Sequence, residues 1–277
     1  MTKLYPVETG NFKLDGGAMF GVVPKVLWNK VYPADENNLC TWAMRSLLMI
    51  TDQKVVLFDN GIGDTLDEKF LKHFYLDGKD TLEKSLEKLG YSADDITDVV
   101  LSHLHFDHCG GNIKKQDDNF IPSFPNARYW VSRKQYENAL NPNPREKASY
   151  FKHMILPLEK AGQLNLIDKE GVLFPGLNVV FYHGHTEGQV ISHIDHNGKT
   201  VVFGADLLPS TAHVPMPWVM AYDMQPLVTL DEKKRFFSEA IENDYIIFLQ
   251  HDFYNQCCTL KQTEKGVRVK GTFSLSD

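Results

Sequence analysis

Short apolar runs rich in β-branched residues alternate along the chain with segments whose apolar side chains recur every three or four positions. The alternation continues without an internal repeat or a low-complexity linker, and it predicts an α/β or layered α+β architecture. Strands are expected at 54–58, 98–102, 128–131, 179–182, 190–194, 200–203 and 245–250, and several are too continuously apolar to leave one face in water. Leu82, Leu86 and Leu89 recur at i, i+4 and i+7 and stop at Gly90, which predicts a helix. A second helix is expected after Ser132. Thr229 and Glu232 have capping-box spacing ahead of Phe236, Phe237, Ala240 and Ile241, which predicts a third helix lying on a sheet. Clusters of Pro, Asn and Asp at 112–125 and 141–144 predict surface loops.

Composition narrows the partners. With 277 residues, 43% of them hydrophobic, the chain can bury a large core on its own. A charged fraction of 23%, a net charge of -7 and a pI near 5.9 give no basic surplus for a phosphate backbone, so nucleic acid is not an expected partner. The N-terminal residues lack a basic start followed by an apolar stretch, and no later run is long enough to span a bilayer. A cytoplasmic protein starting near Met1, with no membrane partner, is the expectation. Cys40, Cys109, Cys257 and Cys258 match neither a disulfide framework nor a zinc ribbon, so reduced thiols are expected. Cys257 and Cys258 are read as small buried residues of the last strands in preference to a redox pair.

The chemistry is concentrated in Ser102-His103-Leu104-His105-Phe106-Asp107-His108-Cys109-Gly110-Gly111, directly after a predicted buried strand. In an extended segment His103 and His105 project to one side, while Asp107 and His108 can turn toward a second point, so one loop can serve two cations. Three imidazoles and a carboxylate packed together need a cation or other partners. A dinuclear site needs more donors, and later strand ends offer them in His183-Gly184-His185-Thr186, Gly204-Ala205-Asp206 and Gln250-His251-Asp252. A lone His or Asp after a strand is usually a turn former or a hydrogen-bonded surface group; four polar strand ends on one sheet edge are how α/β proteins build a site.

Taken together, His103-x-His105-x-Asp107-His108, Gly184-His185-Thr186, Asp206 and His251 resemble the metallo-β-lactamase superfamily, over a stretch from about Asp59 to His251. The resemblance implies a four-layer αββα sandwich with two metals on the edge where the sheets meet. It also implies the partition: His103, His105 and His185 on one ion, Asp107, His108 and His251 on the other, Asp206 bridging, and Asp59 supporting from behind. It selects His185 over His183. The domain is expected to occupy 1–277, with 1–40 an N-terminal extension contributing to the pocket or to a dimer interface.

An all-His/Asp donor set suits Zn(II) first, with Mn, Fe or Co as alternatives. Two cations acidify a bridging water, giving hydroxide to attack an ester carbonyl, while Asp107 could pass a proton to the leaving oxygen. The stretch from Gly16 to Trp28, with Asp206-Leu207-Leu208-Pro209 and Pro217-Trp218, resembles the N-acyl-homoserine lactonases, which implies hydrolytic opening of a small-molecule lactone. Met19, Phe20, Val22 and Trp28 form an apolar run that could receive an acyl chain, though a packed β-hairpin reads equally well, and His213 is a further pocket candidate. Two alternatives stand beside the lactonase: a phosphotriesterase of the methyl parathion type or another esterase of this fold, and a metal-free, non-catalytic binding module.

Overall fold

The computed structural model describes residues 2–275. The first sheet contains β1 (Lys3–Asp15), β2 (Leu39–Ile50), β3 (Val55–Phe58) and β4 (Asp98–Val100). A surface hairpin, β5 (Ile113–Gln116) and β6 (Asn119–Pro122), precedes β7 (Arg128–Ser132) and β8 (Leu164–Ile167), which complete that sheet in the order β1-β2-β3-β4-β7-β8. The second sheet holds β9 (Gly171–Phe174), β10 (Leu177–Tyr182), β11 (Gln189–His196), β12 (Lys199–Phe203), β13 (Ile246–Phe248), β14 (Cys257–Thr263) and β15 (Gly266–Phe273), hydrogen-bonded in sequence order. The helices are α1 (Gly16–Phe20), α2 (Lys25–Trp28), α3 (Glu68–Leu71), α4 (Leu82–Lys88), α5 (Phe106–Cys109), α6 (Arg133–Leu140), α7 (Leu156–Lys160) and α8 (Pro226–Glu242).

The continuously apolar strands explain the layering. In β2 and β3, Leu47, Met49, Val56 and Phe58 face a core shared with the second sheet, while Leu48 and Leu57 between them face a core shared with α4. Both faces of the first sheet are therefore dry. Phe58 meets Phe203 across the gap with ring centroids 5.8 Å apart. On the other side, α8 lays Phe236, Phe237 and Ala240 on the second sheet, and Tyr182 meets Phe236 edge-on. The result is the αββα sandwich, and no helix among the described residues is long and apolar enough to cross a membrane.

Several expectations need correction. Residues 3–15, assigned to an N-terminal extension, form the edge strand of the first sheet and pair antiparallel with β2. Residues 16–28 are not a hairpin: Asp15 accepts a hydrogen bond from Ala18 N and starts α1, and Pro24 precedes α2. The loop expected at 112–125 contains the β5–β6 hairpin. Thr229 does not cap α8, because Pro226 occupies its first position and starts the helix four residues earlier, after Gln225. Glu232 instead accepts hydrogen bonds from His183 N (2.6 Å) and Gly184 N (2.9 Å). The four cysteines are free and buried, with Cys257 and Cys258 at the head of β14.

Candidate metal centre

Strand ends of both sheets meet at one edge. From the first sheet come Asp59, after β3, and Ser102 to His105, after β4; α5 then turns Asp107 and His108 back toward them. From the second come His185 after β10, Asp206 in the turn after β12 and His251 after β13. His103, His105, His108, His185, Asp206 and His251 are all buried, while Asp107 keeps 14% of its side chain exposed and is the open side of the cluster.

Each imidazole has one nitrogen fixed from outside. His251 Nδ1 donates to the Ala43 carbonyl (2.8 Å), His108 Nδ1 to Asp59 (2.9 Å) and His185 Nδ1 to Asp223 (3.0 Å). His105 Nε2 donates to Glu146 (3.1 Å), and His103 Nδ1 donates to Ser102 Oγ (3.0 Å), whose own proton goes to Asp59 (2.6 Å). Carbonyl and carboxylate oxygens only accept, so these contacts place the protons outside and leave five bare lone pairs inside. Those inner nitrogens crowd together: His108 and His251 Nε2 are 3.2 Å apart, His103 Nε2 and His105 Nδ1 3.0 Å, His185 Nε2 and His105 Nδ1 3.2 Å.

Asp206 lies between them. Its Oδ2 is 3.1 Å from His185 Nε2 and 4.0 Å from His103 Nε2; its Oδ1 is 3.1 Å from His251 Nε2 and 3.5 Å from His108 Nε2. Oδ1 is buried and has no hydrogen-bond partner. Acceptors converging with no donor among them form a cation site, and the N/O donor set suits a divalent metal. Three triads have ligand atoms within 4.8 Å of one another: His103, His105 and His185; His103, His108 and Asp206; Asp107, His108 and His251. The first and third are the sets the resemblance assigned to separate ions, and Asp206 turns one oxygen to each.

The electrostatics conflict if protons alone must satisfy the cluster. Burial, reinforced by neighbouring imidazoles, drives His103 well below its usual range, and burial also lowers His105. Burial opposes charge on His108 and His185 too, yet Asp107 and Asp206 beside the first, and Asp206 and Asp223 beside the second, raise both. Asp206, surrounded by imidazoles that outweigh its burial, is held well below the ordinary carboxyl range.

Apart from Asp59, sequence reasoning missed the supports. Glu146 is 2% exposed and receives His105, Tyr150 and Thr186; these contacts overcome burial and hold its carboxyl at about 2. It follows a Pro/Asn turn 41 positions from His105, and no local pattern marks it. Asp223 is equally silent in sequence. Arg45, interrupting apolar β2, donates Nη1 to the carbonyls of Leu249 (2.9 Å) and Asp252 (3.1 Å) and so fixes the turn carrying His251. Gly184 is needed for close approach: a Cβ there would lie 2.3 Å from Thr229 Oγ1, so only glycine lets α8 press on the His185 turn. We expect Glu146→Gln to weaken metal affinity by about 10- to 100-fold with the fold intact. Competition against a chelator measures this, and unchanged affinity would remove Glu146 from the site.

The proposed pocket residues distribute differently. Met19, Phe20, Trp28 and His213 are each at most 1% exposed, so they offer no surface to a ligand. His213 donates from Nε2 to the Met19 carbonyl (2.8 Å), accepts at Nδ1 from Ser210 Oγ (2.7 Å), and stacks on Phe20 at 4.8 Å. It is a strut, and burial pushes it down to about 3. Val22 alone of the run is exposed, at 93%. His183 is half-buried, with Nδ1 accepting from Gly188 N, and stands outside the three triads.

A family model described as the metallo-beta-lactamase superfamily matches residues 43–251. An N-acyl homoserine lactonase of Bacillus thuringiensis is 25% identical, over 96% of this chain and 96% of its own. Among solved structures, a probable metal-dependent hydrolase from Staphylococcus aureus superposes with a TM-score of 0.90 at 31% identity, covering 100% of this chain and 98% of that one. A dizinc quorum-quenching lactonase in complex with its product superposes with a TM-score of 0.82 at 23% identity, covering 99% and 96%.

Proposed function

This chain belongs to the metallo-beta-lactamase superfamily and is a metal-dependent hydrolase acting on esters, and from that premise we propose that it opens a lactone ring of the N-acyl-homoserine type at a dinuclear centre. The observation that carries the proposal is the set of five imidazoles, each braced outside and bare inside, around an Asp206 whose two oxygens face opposite triads. Bound there, two divalent cations, Zn(II) first by donor chemistry, would supply an acidified water as nucleophile and a Lewis acid for the carbonyl.

The chain's own groups do the rest. Asp59, Glu146 and Asp223 fix ring orientation and tautomer at His108, His105 and His185, so the site needs no rearrangement as charge develops. Asp107, with Oδ2 3.6 Å from His108 Nε2 and 3.8 Å from His251 Nε2, reaches from the partly exposed side and is placed to pass a proton to the leaving oxygen. In a lactone that oxygen stays attached, and one hydroxy acid leaves. The acyl chain is received beside the N-terminal segment, which docks on the loop before Asp223 through Ala221 N to Ala18 O (2.8 Å) and presents exposed Val22 and Val26. The same exposed residues offer a face to a second copy of the chain.

Metal-loaded protein assayed against N-acyl-homoserine lactones, a phosphotriester, a β-lactam and a thioester tests the reading. Lactones should give a kcat/KM at least tenfold above every other class. Preference for the phosphotriester would replace the lactonase by a phosphotriesterase, and a chain that bound no metal and hydrolysed nothing would be a binding module.

A further inference from the structure

One buried amine takes no part in the metal centre. Lys233, on α8, is 1% exposed, and lysine is rarely enclosed without partners. Its Nζ donates to four backbone carbonyls, those of His213 (2.8 Å), Trp218 (2.9 Å), Met216 (3.2 Å) and Pro215 (3.3 Å). Among the described residues it is the only donor to the carbonyls of His213, Met216 and Trp218. Pro215 and Pro217 have no N–H, so the stretch cannot close a regular ladder of its own. The lysine stands in for the missing secondary structure.

The loop gathered in this way is anchored independently at both ends. Thr211 donates from N and Oγ1 to Asp252 (2.8 and 2.6 Å), while Met224 N and Gln225 N donate to the carbonyls of His185 (3.0 Å) and Gly184 (2.8 Å). Its middle carries the N-terminal segment. His213 holds the Met19 carbonyl and Ala221 the Ala18 carbonyl; Trp218 meets Phe20 edge-on at 5.8 Å, and a Cβ on Gly21 would lie 2.7 Å from the Val219 carbonyl oxygen. Next in the chain comes Tyr222, 38% exposed. Burial, with Asp107 adding to it, pushes its hydroxyl up to about 12, so the ring stands near the open side of the metal centre.

We infer that Lys233 is a positioning residue for the acyl chain: by gathering the carbonyls of 213–218 it fixes the wall, between the N-terminal segment and Tyr222, on which that chain lies. The inference rests on the lactonase reading. Asp223, the brace on His185, is pinned by the second anchor, so the metals and the chemical step should not depend on the lysine.

Lys233→Met, which keeps the length of the side chain and removes its N–H groups, tests this in metal-loaded protein with N-decanoyl- and N-butanoyl-homoserine lactone. KM for the decanoyl substrate should rise about tenfold or more, with kcat, metal content and KM for the butanoyl substrate within about twofold of wild type. A merely structural role would not separate the two chain lengths. Hydrogen exchange should quicken at the amides of 218–221 and stay unchanged at 183–189. If Lys233→Met does not fold, Lys233→Gln, with N–H donors on a shorter chain, is read in the same way. Equal effects on both substrates, including none, a fall in kcat or metal content, or unchanged exchange at 218–221 would overturn the inference. A wild-type chain that opens neither lactone would sink the lactonase reading alone, and p-nitrophenyl decanoate and butanoate would then replace the lactones in the same comparison.

Discussion

Asp206→Asn is expected to lose bound metal and to lower hydrolysis by about a thousandfold, while circular dichroism shows the fold retained. Asparagine is nearly isosteric, so packing is preserved, but the change does more than remove a charge. The new amide N–H groups would face the bare lone pairs of His185 or His251, which lie 3.1 Å from the two carboxylate oxygens. They would satisfy internally the acceptors that otherwise require a cation. His105→Ala should fail for a different reason, since it removes one of the three donors of its triad. Metal analysis per chain and the lactone assay measure both variants. Wild-type metal content and rate in either one would mean that the cluster is not the site.

The second large effect is expected at Gly110, which follows α5 directly. A Cβ at this position would lie 2.0 Å from the Ile62 carbonyl oxygen and 2.2 Å from its carbon, and backbone cannot step aside by changing rotamer. The same strand-end contact includes the hydrogen bond from Gly110 N to the Gly61 carbonyl (2.8 Å). Gly110→Ala must therefore push α5, with Asp107 and His108, away from the segment holding Asp59. We expect a loss of about 3 kcal/mol or more in denaturant-induced unfolding, together with reduced metal content. Unchanged stability and metal stoichiometry would show that the loop can relax and that the close approach is incidental.

Strands with two dry faces were legible because continuous apolar runs such as 54–58 and 98–102, too short to cross a bilayer, are accounted for by burial on both faces of a sheet. The donors were legible because imidazoles and carboxylates packed at strand ends have few other uses. The edge strands were harder. β1 carries a register shift between Glu8 and Asn11, which breaks the period-two pattern, and β15 is polar and largely half-buried. The start of α8 was misplaced because a capping-box pattern outweighed Pro226 at the first turn. Glu146 and Asp223 left no local trace, since their partners stand 41 and 38 positions away and the fold alone makes them neighbours.

The donors are divided between the two halves of the sandwich, and the turn bearing His251 is gripped by Arg45 and Ala43 of the opposite sheet. Donor spacing is thus set by the registry of one sheet over the other. A side chain such as Phe58 or Phe203, remote from any ligand atom, acts as a shim between the plates. Thinning it should detune the spacing of the donors from within the hydrophobic interior, so substrate turnover is expected to respond to core volume as well as to the residues that touch the reaction.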